Sequence, residues 1–401
     1  MSDHTRGASP PVGPPTTAST PRGELAEIVV NLAAIRHNVR VLRELIGVPL
    51  IAVVKADGYG HGMVEAARAA REGGAEWLAA ATVAEALQLR EAGYAGPLLC
   101  WLMLPGTDLE RPVEEGIDLS AYSVAELDAI AAAAETVGRR ARVQLKVDTG
   151  LNRGGAPRSS WLDLFSRARA GERDGTWKIT GLWSHFACSD EPAHPANDRQ
   201  EEAFRAAVAL AEDCGLRPEL LHLANSAAAV LRPSSRFDAV RCGIAVFGLD
   251  PAPGSTPDLG LIPAMTVRTR LALVKELAPG DAVSYGHRWV ADRPTTVGLV
   301  PLGYGDGIPR HAFHPGPGPS AEVAVGGKRR PIRGTICMDQ FMVDLDGEPA
   351  GIGDEVVLFG SGPDVPTAQD WAEACGTISY EIVTRIGGRM TRRYVDSEAM
   401  P

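Results

Sequence analysis

Lys55 follows five consecutive apolar residues, LIAVV, and opens the stretch KADGYGHG. An ammonium in such surroundings is partly desolvated, which lowers its pKa and frees the amine to attack an aldehyde. A lysine that forms a Schiff base needs that chemistry. Beside it, Gly58, Gly60 and Gly62 let backbone approach a ligand closely, and Tyr59 offers a hydroxyl. The glycine spacing is not Gly-x-Gly-x-x-Gly followed by an acidic ribose ligand, so a nicotinamide dinucleotide is not the favoured partner.

Other polar residues close other apolar runs. Lys146, Asp148 and Arg153 lie in LKVDTGLNRGG, His185 ends ITGLWSH, Asn225 and Ser226 end LLHLANS, and Arg241 lies within AVRCGI. Singly, each has a plainer explanation, because a lysine at a strand end is more often solvated and a lone histidine more often a core hydrogen bonder. Jointly they outweigh those explanations. A phosphate group would suit Ser226, Gly243 and Ile244, where backbone amides and a small hydroxyl come together, although Ser226 reads equally well as a helix N-cap. Of seven tyrosines, Tyr285 in VSYGH, Tyr304 in PLGYGDG and Tyr380 in TISYE occupy turn-like contexts. From the residues alone, partly buried aromatics are the simpler account of all three.

The elements that position these groups are short apolar runs alternating with helical segments. Eight such runs occupy residues 49–54, 77–82, 97–102, 118–122, 142–148, 179–185, 220–226 and 239–244. This alternation predicts an α/β fold, an N-terminal (β/α)8 TIM-like barrel, whose chemistry belongs at the carboxyl ends of the strands. A doubly wound open sheet would alternate in the same way. Beyond residue 250, strand-like runs such as TVRTRLALVKEL, TTVGLVPL, AEVAV and DEVVLF are separated by Gly, Pro and Asp turns, with one helical stretch near 367–375. The chain therefore divides into a disordered tail at 1–23, the barrel at 24–250 and a mainly β C-terminal domain at 251–401. Whether residues 24–31 pair with the barrel or with the second domain is not decided by pattern.

Composition narrows the function classes. With 401 residues, 45% hydrophobic and 22% charged, the chain can bury a large core. A net charge of -10 and a pI near 5.5 argue against nucleic-acid or membrane partners, which require clustered Lys and Arg. The six cysteines show neither Cys-x-x-Cys nor metal-ligand spacing, so they read as free thiols and no metal is expected. No apolar stretch reaches 18 residues, and the first 23 residues lack the apolar core of a signal peptide. A cytoplasmic location follows as the expectation.

The motifs VVKADGYGHG, LKVDTGLNRGG, SHFACSDE, HLANSA, VRCGIAVFGL, VSYGH, LGYGDG and GTICMDQ stand in the order and spacing of the alanine racemase family, which the chain resembles from about residue 25 onward. The resemblance implies a barrel and a β domain, pyridoxal 5'-phosphate as cofactor, and interconversion of L-alanine and D-alanine by two bases. The product would be D-alanine for peptidoglycan. By the same resemblance Lys55 carries the cofactor as an aldimine, and Tyr59, Ser226, Gly243, Ile244 and Tyr380 hold its phosphate, with Asn225 nearby. Arg241 faces the pyridine nitrogen. A guanidinium cannot accept a proton, so it keeps that nitrogen unprotonated.

Racemisation needs bases on opposite faces, and the resemblance assigns the second to Tyr285, supplied from the neighbouring subunit of a homodimer. An unperturbed tyrosine titrates at about 10. A base near neutral pH therefore needs positive charge or a hydrogen-bond network, for which His185 and Arg241 are the candidates. Arg153 and the Met338 amide would bind the substrate carboxylate, Tyr304 would line the entrance, and Lys146 matches a lysine that many relatives carbamylate. Asn152 and Phe247 depart from the commonest residues, and no role is evident for segment 100–108.

Alternatives remain open at this point. A racemase of serine or of broad specificity differs by little, since one methylene changes binding by only about 1–3 kcal/mol. A fold-related decarboxylase would place an acid at the pyridine nitrogen and a cysteine in the second domain, where Cys337 stands, but Arg241 and Tyr285 oppose it. A non-catalytic pyridoxal-phosphate carrier would lack the second domain, and a cofactor-free binding protein would need none of these residues.

Overall fold

The computed structural model describes residues 24–316 and 318–397, so the expected tail at 1–23 lies outside the described residues. Strand β1 (Ala26–Asn31) leads into a helix, Leu32–Ile46, capped by the Asn31 side chain and ended by Gly47 in the left-handed region. Eight parallel strands follow: β2 (Leu50–Val53), β3 (Trp77–Thr82), β4 (Leu98–Leu102), β5 (Asp118–Ala121), β6 (Ala141–Lys146), β7 (Trp177–Trp183), β8 (Leu220–His222) and β9 (Val240–Cys242). Their order, β8-β7-β6-β5-β4-β3-β2-β9, is that of a barrel. It closes between β8 and β9 through the bridge Asn225↔Arg241, where the Arg241 amide donates to Ala224 at 3.0 Å. Each of the eight apolar runs read from the sequence overlaps one of these strands, six containing it whole, while β6 and β7 begin one and two residues before theirs.

The second domain adds β10 (Met265–Arg270), β11 (Leu273–Leu277), β12 (Ala282–Val283), β13 (Trp289–Val290), β14 (Thr295–Val300), β15 (Glu322–Val325), β16 (Lys328–Arg333), β17 (Phe341–Asp344), β18 (Glu355–Phe359) and β19 (Thr391–Val395). A nine-stranded sheet runs β11-β14-β17-β16-β15-β18-β10-β1-β19. Strand β1 lies inside it, antiparallel to β10 and parallel to β19. The pattern left residues 24–31 open. Pairing places β1 with the second domain, because its residues are buried on both faces and need partners on both edges. The run TVRTRLALVKEL is two strands, broken at Leu271 and Ala272. Tyr380, expected in a turn, instead sits in the first turn of a helix, Ser379–Arg385, that follows the helix Ala368–Cys375.

One buried side chain ties the barrel to its exit. Asn38, fully buried on the first helix, donates to Val246 O at 3.2 Å and Ile262 O at 2.9 Å and accepts from Ile262 N at 2.7 Å. These bonds pin the turn after β9 and the approach to β10. Replacing Asn38 by Leu strands those backbone groups, at about 1–3 kcal/mol for each left unpaired. Asn38→Leu should therefore lower the thermal unfolding midpoint by several degrees. A midpoint unchanged from wild type would show that Asn38 is not holding the linker.

Candidate active site

At the carboxyl ends of the barrel strands lies a cavity of about 560 Å³, lined by Lys55, Tyr59, Lys146, Arg153, His185, Asn225, Arg241, Gly243 and Tyr380 among others. The cavity thus gathers nine of the residues singled out in the sequence, eight from the barrel and Tyr380 from the second domain. Lys55 follows β2 at the head of an unusual turn. Ala56, Asp57 and Gly58 have φ of 52°, 53° and 63° and Tyr59 has 53°, which makes one turn of left-handed helix. Such backbone costs non-glycine residues of order 1 kcal/mol each and persists only where surroundings enforce it. Here Asp57 Oδ1 accepts from Met63 N at 2.8 Å, and Glu85 Oε1 accepts from Ala56 N at 2.7 Å. A side chain at Gly60 would meet Val383 O at 2.3 Å, so the turn packs directly on the helix that carries Tyr380.

Elsewhere in the cavity two hydroxyls meet a backbone step, with the ring of Tyr380 near that of Tyr59. A Cβ at Gly243 would stand 2.2 Å from Tyr59 Oη, and Gly243 N donates to Ser226 Oγ at 2.9 Å. Ser226 is the first residue of its helix, and Asn225 is the cap, its Oδ1 accepting from Ala228 N at 3.1 Å. Tyr59 and Tyr380, with ring centroids 6.2 Å apart, both have their pKa raised by burial, so they stay protonated and serve as donors. Ile244 follows Gly243 and is fully buried. Phe247, where the resemblance expects tyrosine more often, packs on Tyr59 with centroids 5.2 Å apart.

The cavity is strongly cationic within a chain of net charge -10. Burial, then the charge of Arg153, lowers the Lys55 pKa, and its Nζ lies 5.7 Å from the Trp101 ring. Lys146 is lowered to about 8, chiefly by burial and then by Arg241, and sits 4.4 Å above the Trp183 ring. Arg241 is 4.6 Å from the same ring on Cζ. Its Nη1 and Nη2 atoms make five hydrogen bonds, to His222 Nδ1 and O, Ser184 O, Leu223 O and His185 Nδ1. That leaves Nε as the donor available to a ligand. A guanidinium only donates, so His185 and His222 both present an unprotonated Nδ1 and carry their proton on Nε2. Burial first, and Arg241 second, hold both imidazoles far below their ordinary pKa, hence neutral.

Tyr285, Tyr304 and Met338 are not in this cavity. They form a second group on the C-terminal domain. Ser284 Oγ donates to Thr335 O at 2.6 Å, Thr335 Oγ1 donates to Tyr285 O at 2.9 Å, and Tyr304 N donates to Cys337 O at 3.0 Å. Arg389 clamps the group, reaching Asp306 at 2.7 and 2.8 Å and Asp339 at 2.8 Å. All three side chains point outward, with Tyr285 72% exposed. In the described part of a single chain these residues therefore fall into two separate groups.

Several lining residues were not singled out from the sequence: Trp101, Trp183, Ile378, Glu381 and Thr384, with His222 behind Arg241. Trp101 gives segment 100–108 a place at the cavity wall. Trp183 and His222 stood in quoted strand motifs, where a polar or indole group inside an apolar run was the available signal. No group of three metal-ligating side chains occurs among the described residues.

Comparison with known proteins accords with this layout. The family described as "Alanine racemase, N-terminal domain" matches residues 30–251, and "Alanine racemase, C-terminal domain" matches 264–394. Alanine racemase of Salinispora arenicola is 51% identical over 374 residues, covering 93% of this chain and 99% of that protein. The crystal structure of alanine racemase from Streptomyces lavendulae superposes with a TM-score of 0.91 at 48% identity, covering 94% of this chain and 98% of the other. That from Streptomyces coelicolor A3(2) gives 0.89 at 50% identity, with 93% and 98% covered. In fold, domain content and sequence, the chain belongs to the alanine racemase family.

Proposed function

We propose that this protein interconverts L-alanine and D-alanine with pyridoxal 5'-phosphate bound in the barrel cavity. The observation that carries the proposal is the cavity itself, which one desolvated lysine amine shares with the hydroxyl-bearing Tyr59 and Tyr380, the Gly243 step bonded to Ser226, and Arg241. The cradle fits a phosphate, since glycine at 243 lets the Tyr59 hydroxyl come up to the backbone, where a Cβ would stand 2.2 Å from it. The lysine fits an aldehyde. Tyr59, Ser226, Gly243, Ile244 and Tyr380 would hold the phosphate, with Asn225 capping the helix beside it, and Lys55 would hold the aldehyde carbon. When bound, the cofactor supplies an electron-withdrawing ring that acidifies the α-hydrogen of an attached amino acid.

The protein's own groups do the rest. Arg241 would face the ring nitrogen as a donor that gives up no proton, which would limit electron withdrawal and favour proton transfer over other reactions. Lys55 Nζ takes or returns the α-proton on one face. Tyr285 Oη serves the other face from a second copy of the chain, because within one chain it faces solvent. His185, held neutral, offers its Nε2–H to stabilise that phenolate. Arg153 and the Met338 amide bind the substrate carboxylate, and Tyr304 of the second copy narrows the way in. The enzyme is then a homodimer with composite sites, and its D-alanine suits a peptidoglycan-building step. No described helix is long and apolar enough to cross a membrane, and a cytoplasmic location agrees with that.

Lys146 completes the charge balance. Because its pKa is about 8, an appreciable share of the amine is neutral in mildly alkaline solution. Its lone pair can then form a bond to carbon dioxide, losing one proton to solvent, and the carbamate anion would pair with Arg153. Below pH 8 the amine protonates and the addition is blocked. Protein equilibrated with 13C-bicarbonate at pH 8.5 should show a lysine carbamate resonance that fades toward pH 6 and is missing in Lys146→Met. A spectrum without that resonance at either pH removes the modification.

Incubation with either enantiomer of alanine in heavy water should converge on equal amounts of both, with deuterium at the α-carbon. Lys55→Ala should abolish this, and Tyr285→Phe should slow it by at least about 100-fold. A yellow but inert protein would redirect the assignment to serine or larger amino acids. Mixing Lys55→Ala with Tyr285→Phe subunits tests the composite site: hybrids regain one intact site, and a random mixture should recover about one quarter of wild-type turnover. No recovery would place Tyr285 and Lys55 in the same subunit's site.

A further inference from the structure

Behind Arg241 a file of buried polar side chains crosses the barrel interior. It starts at Asp118, the first residue of β5, passes Gln144 on β6 and His222 at the end of β8, and ends on Arg241 of β9. Asp118, Gln144 and His222 are all fully buried. Such a group is costly unless every member is satisfied. Its donors and acceptors alternate in one consistent order. Arg241 Nη1 lies 2.8 Å from His222 Nδ1 and can only donate, so the His222 proton is on Nε2. That Nε2 is 2.7 Å from Gln144 Oε1, which accepts it. The amide is thereby oriented with its Nε2 toward Asp118 Oδ1 at 3.5 Å. Asp118 accepts in turn from Arg142 at 2.8 and 3.3 Å and from the Thr180 hydroxyl.

The site is shaped around the glutamine. A Cβ at Gly181 on the adjoining strand β7 would stand 2.8 Å from Gln144 Oε1 and Cδ, so glycine there makes room for the amide. Trp183 stacks on His222 at 5.7 Å and 7°, fixing the plane of the imidazole. With the ring plane and the amide both held, only the position of one proton is left to choose.

We infer that Gln144, backed by Asp118, is a positioning residue for the proposed racemisation: it fixes the tautomer of His222 and thereby the direction in which Arg241 donates. The functional half of this inference rests on the activity proposed above; the tautomer does not. Reversing the amide would set its NH2 against the imidazole N–H, and Asp118 prevents that by accepting from the same NH2. Moving the His222 proton to Nδ1 would set it against an arginine donor and pull the guanidinium off its carbonyl contacts.

The test uses the cofactor-loaded protein with 15N-labelled histidine, in which long-range 1H–15N correlations report each imidazole's tautomer, and His222→Asn identifies the signal. In wild type His222 should be a single Nε2–H tautomer. Gln144→Met fills the same length without an acceptor. It should produce a mixture of tautomers and lower kcat by about tenfold with KM changed less than about twofold. Gln144→Glu should restore both, its acid proton bonding to Asp118 while its carbonyl accepts from His222. A wild-type Nδ1–H or charged His222 overturns the inference, and so does a Gln144→Met protein that keeps one Nε2–H tautomer, whatever its turnover. Mixed tautomers with unchanged turnover overturn the link to catalysis. If wild type leaves alanine untouched yet shows the tautomer and its response, the proposed activity falls and the relay stands.

Discussion

A buried guanidinium without a carboxylate partner governs this structure. Arg241 is 4% exposed, and its hydrogen bonds go to three carbonyls and two imidazoles, none of them charged. Burial pulls its pKa down to about 9, which still leaves it cationic at neutral pH. An unpaired buried cation is expensive and demands oriented dipoles. The barrel meets that demand geometrically, since the carboxyl ends of β7 and β8 turn the carbonyls of Ser184, His222 and Leu223 toward one point. The two histidines must then be neutral, because a second cation beside Arg241 would compound the cost.

The same constraint determines what the cavity accepts. Lys55, Lys146 and Arg153 add further cationic groups, so the space favours a ligand that carries negative charge at two ends. The phosphate of the proposed cofactor and the carboxylate of the proposed substrate would meet that description. The left-handed turn at 56–59 stores backbone strain in the segment that presents Lys55 and Tyr59, and the helix carrying Tyr380 packs against it through Gly60. The segment that presents Lys55 and Tyr59 is thereby coupled to the second domain, which also brings Tyr380 beside Tyr59.

Besides the Tyr380 helix at the cavity wall, the second domain contributes an outward-facing group. Arg389 links the turns of Tyr304 and Met338 through Asp306 and Asp339, a rigid mounting for exposed side chains. Exposed tyrosine and methionine on a rigid mounting are what a self-complementary contact between two copies would use.

Much of this was legible along the chain. The apolar runs located all eight barrel strands because a strand buried on both faces writes itself as a contiguous apolar segment. Lys55, Lys146, His185, Asn225 and Arg241 stood out because each ends or interrupts such a run, and the ordered motifs identified the family. What only the tertiary structure decided were quantities that depend on distant neighbours. The pairing of β1 with β10 and β19 depends on residues more than two hundred positions away. The left-handed turn at Ala56, Asp57 and Tyr59 runs against local preference and exists because Glu85 and Met63 hold it. Trp101, Trp183, His222 and Gln144 were not singled out along the chain, because only strands distant in sequence bring the first three against Lys55, Lys146 and Arg241, and Gln144 against His222. Sequence records which side chains are present and which faces are apolar, whereas charge states, tautomers and strained backbone are set by contacts that exist only once the barrel has closed.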